Sequence, residues 1–487
     1  MIKIWMTLIF CLLVLVNCAG GENKSEQSNK KNNQTSSQTS QRSNNSKPPM
    51  PNNAVRWDKV VLSTGESICA LADSGDLYCW GMNQRSTGIA MDTNETLDAL
   101  GTGDKSINLF TPKKVIHPHP WKDVAMSEAG FLCGIDTQDY LFCWGANRIF
   151  SFGGGGPFFY ADGASSKKII VTRPHKMSDE QFDSLAIGRS TVCAIKKDDG
   201  SLWCFGDNFF GFDKSSPSPI KVNDGPFLKP LMTGSKLMAM DSRGHLWESG
   251  KALISEKWQK IVANWMPDRV CGINDAHKLL CKGNNQKEIL AVQDSSPMVT
   301  NFSPIKGGGD FIDISTNARS TCAVKNDNSL WCWGQNTLDI IENGVNKSMQ
   351  GVLATGSNDS FVTSPQQVMG IKQAKKVVVA GNGSICALTT TQEIYCFGSN
   401  TYRDIRGNLR LGVLGINNMK DRVVIQATRV GKEKWDDVFL FDGESEFVAC
   451  AINDKKSLWC WGGKEFSSIA PNQPIGKVLS SPVLITL

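Results

Sequence analysis

Histidine is scarce in this 487-residue chain, with five copies, and none belongs to an HExxH pair or has a third ligand close by in sequence. His117, His119 and His175 lie beside prolines, in stretches that read as exposed connections, so no metal is expected there. There is no GxSxG elbow, no Walker loop and no GxGxxG. The glycines 153–156 run into Pro157 without the Lys-Ser/Thr that phosphate binding needs. No Cys-x2-4-Cys pair is present, which removes the common zinc clusters. Acidic residues are scattered singly, so no carboxylate pair is legible, and no cofactor is implied. The net charge of +5 is small for the length. Part of it belongs to Lys3, Lys24, Lys30, Lys31, Arg42 and Lys47, and nothing resembles a nucleic-acid stripe.

What is abundant is repetition. Cys69-Ala70-Leu71 through Tyr78-Cys79-Trp80-Gly81 returns as Cys133 to Gly145, Cys193 to Gly206, Cys271 to Gly283, Cys322 to Gly334, Cys386 to Gly398 and Cys450 to Gly462. An eighth copy, Met238-Ala239-Met240 to His245-Leu246-Trp247-Glu248, has lost both cysteines together. Joint loss is the behaviour of partners, so each pair reads as one disulfide: Cys69 with Cys79, Cys133 with Cys143, Cys193 with Cys204, Cys271 with Cys281, Cys322 with Cys332, Cys386 with Cys396 and Cys450 with Cys460. Nine intervening residues centred on Asp73-Ser74-Gly75 suit a hairpin whose short loop ends on a left-handed glycine. That places Cys69 opposite Cys79, within disulfide reach. In the third copy the extra residue falls in the turn, Lys197 to Gly200, and keeps Cys193 opposite Cys204.

A strand opening on a bulky ring precedes most hairpins, at Trp57, Trp121, Phe182, Trp258, Phe311 and Trp435, with Ala374 as the exception. Pro-led strands at Pro112, Pro219 and Pro365 lie between units. Each unit therefore offers about four short strands, a propeller blade's worth. Cys69, Leu71, Leu77 and Cys79 face one way, Ala70 and Tyr78 the other, and both faces are apolar. A sheet apolar on both faces must be covered on both, which radial stacking provides. The expected fold is an all-β propeller of seven or eight blades over 55–487, with a sandwich or β-helix as the alternative. The first unit lacks a leading Pro-strand and the chain ends on one, Ser481 to Thr486, so the last strand is expected to complete the first blade.

The first fifty residues bear on compartment. Lys3 precedes the apolar run from Leu8 to Val16, too short to span a bilayer and typical of a secretory signal over 1–17. Leu15-Val16-Asn17-Cys18-Ala19 resembles the lipobox of bacterial lipoproteins, with Asn17 in place of the usual small residue. The resemblance implies cleavage before Cys18 and its lipidation. Residues 18–53 are rich in Ser, Asn, Gln and Lys, and read as a disordered tether.

The Cys-Ala-Leu...Leu-Tyr-Cys-Trp-Gly repeat resembles the propellers built from regulator-of-chromosome-condensation repeats, and within them the secreted, disulfide-bearing bacterial branch related to β-lactamase inhibitor protein II. The resemblance implies fold more than function. An exported chain would not meet the chromatin and small-GTPase partners of the founding member. Two functions remain. One is a non-enzymatic, lipid-anchored protein at the outer membrane or cell surface that presents loops to a protein or glycan. The other is an exported lyase or hydrolase using acids at one propeller face. The aromatic insertions after the second and third Cys-Trp/Phe-Gly favour the first, with Phe152, Phe158, Phe159 and Phe212 as the expected partner anchor.

Overall fold

Alternating burial on both faces gives each repeat four antiparallel strands. In the first these are Trp57–Leu62, Ser67–Ala72, Leu77–Met82 and Asn108–Lys114, paired in that order. The computed structural model describes the body from Val55, except residues 63–66, 84–97, 128–129, 148–169, 189–190, 207–215, 233–236, 250–253, 265–268, 343–344, 405–406, 443–445 and 465–468. The chain divides into Met1–Asn53 and Ala54–Leu487, and all described residues belong to the second.

Among the described residues there are eight such four-stranded units, two pairs of which are fused into seven-stranded sheets. The fusions are single long strands. Ile170–Ile187 pairs with the third strand of unit 2 up to Gln181 and with the second strand of unit 3 from Phe182. Ile254–Asn264 does the same between units 4 and 5. Unit 4, built on Met238 and Trp247, is a full unit opened by Phe227–Met232. The sole helical element among the described residues is the single turn Gln286–Glu288, and no helix is long and apolar enough to cross a membrane.

Each hairpin keeps one register. Cys69 faces Cys79, Ala70 faces Tyr78 and Leu71 faces Leu77. All seven cysteine pairs are joined within their own hairpins, at a Cα–Cα distance of 4.1 Å, including Cys193–Cys204 with its longer turn. The turn's penultimate residue is left-handed in every unit, but it is glycine only at Gly75, Gly200 and Gly244. Asp139, His277, Asn328, Gln392 and Lys456 hold the same conformation elsewhere.

The reason is an intermolecular-style seam bond within one chain. With φ positive, that residue's carbonyl points at the next unit and accepts from the backbone N–H of its opening residue. Trp121 donates to Gly75 at 2.7 Å, Phe182 to Asp139 at 2.7 Å, Trp258 to Gly244 at 2.8 Å and Trp435 to Gln392 at 2.8 Å. The eighth such bond, Trp57 to Lys456 at 2.8 Å, joins the first unit to the last and closes the ring. This corrects the expectation that the C-terminal strand completes the first blade. Leu479–Leu484 pairs with Leu458–Lys464 of its own unit, and the Pro-led strands close units as fourth strands. A strand that follows its partner after a short connection loses less chain entropy than one imported from the far terminus. The result is an all-β propeller.

Candidate functional site

The connections between third and fourth strands carry nearly all the variation in length, and one side chain organises them. Four residues after the second cysteine comes a buried asparagine. Asn83 accepts from Leu100 N–H at 3.0 Å through Oδ1 and donates through Nδ2 to the carbonyls of Asp104 (2.5 Å) and Ser106 (3.1 Å). Asn285 grips Leu290, Asp294 and Ser296 in the same way, Asn336 grips Leu353, Ser357 and Asp359, and Asn400 grips Leu414, Asn418 and Asp421. An amide has the one acceptor and two donors this requires. Sequence reading passed over these residues, although the spacing Cys-x3-Asn was visible in six copies. In unit 8 the position is Lys464, which pairs with Glu446 at 2.7 Å while both are almost fully buried.

The gripped connection then covers the next unit. Trp144 donates through Nε1 to Leu100 O at 3.2 Å, Trp333 to Leu290 O at 3.1 Å, and Trp80 to Ile469 O at 2.9 Å across the ring closure. A Cβ on Gly101 would come within 3.0 Å of Trp144, so only glycine lets the connection lie flat on the indole. In units 6 and 7 the same connections rise into extra hairpins, Thr337–Glu342 with Val345–Gln350, and Thr401–Arg403 with Leu409–Leu411. Leu338 and Ile340 of the first pack with Val423 and Leu409 of the neighbouring unit.

The seam between units 4 and 5 departs from this pattern. Unit 4 has a connection of only residues 249–253, and no asparagine grip occurs in it among the described residues. Glu248 stands opposite Met238, where the second cysteine would be, and Lys282 stands in the tryptophan position of unit 5. The two form an ion pair at 5% and 1% side-chain exposure, with Lys282 also over the Phe302 ring.

A ring of side chains surrounds the axis, two residues into each opening strand: Lys59, Asp123, Ser184, Lys229, Lys260, Asp313, Lys376 and Asp437. The innermost strands turn an unpaired edge to the axis, and these residues cap it. Lys59 donates to Asp123 of the next unit at 2.6 Å and to Val124 O at 3.2 Å, while Asp123 accepts from Val124 N–H at 3.0 Å. Lys376 treats Asp437 and Val438 likewise, and Lys260 pairs with Asp313, which accepts from Val377 N–H at 2.7 Å. Beyond the ring lies an axial cavity of about 370 Å³, walled mainly by valine, leucine and phenylalanine. Its polar side chains are Lys260, Lys376 and Ser315, and its lining includes no carboxylate.

The model of the regulator of chromosome condensation (RCC1) repeat matches residues 311–338 and 375–403, the cores of units 6 and 7. The structure of human WBSCR16 aligns over 85% of this chain and 95% of its own at a TM-score of 0.51 and 13% identity. The chain has the propeller fold, and its units 6 and 7 resemble the RCC1 repeat. Yeast RCC1 (Prp20) bound to Kap60 aligns over 92% of this chain and 91% of its own, at 15% identity and a TM-score of 0.49. Prp20p of Saccharomyces cerevisiae, described with its binding to Gsp1p and histones, aligns over 82% and 84% at 16% identity and 0.48.

Of the residues expected to bear function in this propeller, Phe152, Phe158, Phe159 and Phe212 lie outside the described residues, as does Cys18. The histidines are corrected in part. His117 is no exposed loop residue: its side chain is 4% accessible, stacked 4.2 Å from Trp121, with Nε2 3.2 Å from Asp136 Oδ2. Burial lowers its pKa, against the opposing effect of the Asp136 hydrogen bond. Among the described residues, no three His, Cys, Asp or Glu gather in a metal-binding arrangement.

Proposed function

We propose that this protein is a non-enzymatic, lipid-anchored surface scaffold that offers the third-to-fourth-strand connections of its propeller to a protein or glycan partner. The observation that carries the reading is the asparagine grip. Four connections of unlike sequence are held by one repeated device on one face, so their exposed middles vary over a rigid base. Such a base suits recognition, because little ordering entropy remains to be lost on binding. Seven intra-hairpin disulfides fit an oxidising compartment. Cys18 would carry the lipid and residues 18–53 the tether, at the outer membrane or cell surface.

Phe152, Phe158, Phe159 and Phe212 would anchor the partner, since both insertions leave neighbouring units at the position where Asn83 and Asn336 grip theirs. The decisive experiment joins capture and fractionation. Cys18→Ser should release the protein from membranes with its melting unchanged. Replacing the four phenylalanines by serine should abolish capture of surface components by the intact anchored protein. Retained capture together with a large loss of stability would make those rings core and move the site elsewhere.

A further inference from the structure

The axial cavity is lined by the opening strands rather than by the third-to-fourth-strand connections, and it has a chemistry of its own. Its volume of about 370 Å³ lies within the range of small-molecule sites, ~300–1,000 Å³. Leu62, Val262, Val378, Phe439 and Phe441 line it, and all five remain partly exposed. Leu62, Val262, Val378 and Phe439 pack on one side against the core and keep part of their surface in water, so covering that remainder releases free energy in proportion to area.

Polarity is graded along the axis. The capping ring sits two residues into each opening strand, whereas Phe439 and Phe441 sit four and six residues into theirs. At ~3.3 Å per residue, the charged ring and Phe441 are about 13 Å apart along the strand. A ligand filling the space would be polar at one end and apolar over most of its length.

Charge is uneven around the ring as well. Four lysines face three aspartates and one serine, an excess of one positive charge. Lys59 and Lys376 are each committed to an aspartate and a carbonyl. Among the described residues Lys260 is bonded to Asp313 alone, which leaves ammonium donors to spare. Lys229, its neighbour in the ring, is exposed and forms no ion pair among the described residues. The excess therefore falls on units 4 and 5, while Phe439, Phe441 and Leu62 belong to units 8 and 1, across the axis.

We propose that the axial cavity binds a single-chain anionic amphiphile, with a carboxylate head at Lys260 of the lining, within the field of Lys229 just outside it, and an apolar tail running towards Val378, Phe439 and Phe441. Neutralising the excess charge and covering the half-exposed phenylalanines are then one event.

Sodium decanoate titrated into the purified full chain by calorimetry tests this. One saturable site is expected, with 1-decanol binding more weakly. Lys229→Gln/Lys260→Gln should weaken decanoate by about tenfold, the scale of one charge-assisted hydrogen bond, and leave decanol unchanged. Lys229→Gln alone touches an exposed residue without an ion pair, so it keeps the fold and should show part of the loss. Phe439→Glu should remove binding of both probes. Absence of a saturable site, equal affinity for decanoate and decanol, or decanoate binding indifferent to the lysine variants would each overturn the proposal.

Discussion

The seam between units 1 and 2 and the seam between units 4 and 5 solve one packing problem in opposite ways. At the first, Trp144 lies under a connection held by Asn83, and a disulfide stands behind it in each hairpin. At the second, the connection is cut to residues 249–253, the disulfide of unit 4 and the tryptophan of unit 5 are absent, and Glu248 pairs with Lys282. These losses are linked. Without a carbonyl from a covering loop, an indole N–H at Lys282 would be buried with no acceptor, which costs ~1–3 kcal/mol. A flexible lysine reaches a carboxylate instead, and that carboxylate occupies the very place the cysteine vacated.

The comparison predicts where the ring is fragile. Glu248→Ala removes the carboxylate that Lys282 holds and should cost ~3–5 kcal/mol, measured by denaturant unfolding. Glu248→Leu/Lys282→Leu should recover most of that loss, because an apolar pair needs no partner. If the single and double variants are equally damaged, the ion pair is not what holds this seam. Trp333→Ala offers the matched test at a covered seam, with an expected loss of ~3–5 kcal/mol from the cavity alone and no rescue by a second change.

The next effect is smaller. Cys322→Ala/Cys332→Ala should cost ~2–3 kcal/mol by loop-closure entropy, less where the hairpin persists in the unfolded chain. Among the bridges, Cys193–Cys204 should be reduced first, since Cys204 is 7% exposed while the other thirteen bridged cysteines are at 0%. Mass mapping of alkylated thiols during stepwise reduction reads the order, and a random order would count against exposure as the control.

The smallest expected effect is a pH dependence at the covered end of the ring. His117 sits between units 1 and 2 with its pKa lowered by burial. The folded state thus binds a proton less readily than the unfolded chain, so its contribution is present above the unfolded histidine value near 6.5 and is lost as pH falls below it. The melting temperature should drop between about pH 7 and 5, and His117→Phe should flatten that slope. An unchanged slope would assign the acid sensitivity to other groups.

Much of this was legible in the sequence, for reasons of distance. The cysteine register follows from nine intervening residues and a turn, and the two-sided alternation of Cys69, Ala70 and Leu71 required covering sheets on both faces. Features that depend on residues far apart were not legible. Lys59 and Asp123 are 64 positions apart, and Lys376 and Asp437 are 61 apart, so nothing local marks them as edge caps. Ring closure misled for the same reason: a C-terminal strand in search of a partner looks equally suited to the first unit and to its own. Ala374 appeared anomalous only because the opening position was taken to demand a ring, whereas its backbone N–H, donating to Asn328 O at 2.8 Å, is what the seam uses. His117 was placed among loops because prolines flank it, although Trp121 three residues beyond Pro118 supplies the surface on which it stacks.

Because one amide fastens both ends of each long connection, connections of unlike sequence share one attachment to the ring. Asn83 and Asn336 each take their amide donor from 17 residues further on, Asn400 from 14 and Asn285 from 5, with the same contacts at the base. Each connection behaves as a cassette with a standard fitting. Lineages could exchange its contents over a common base, and an engineer could graft a chosen peptide between Asn336 and Leu353 if the asparagine and the buried Leu338 and Ile340 are kept.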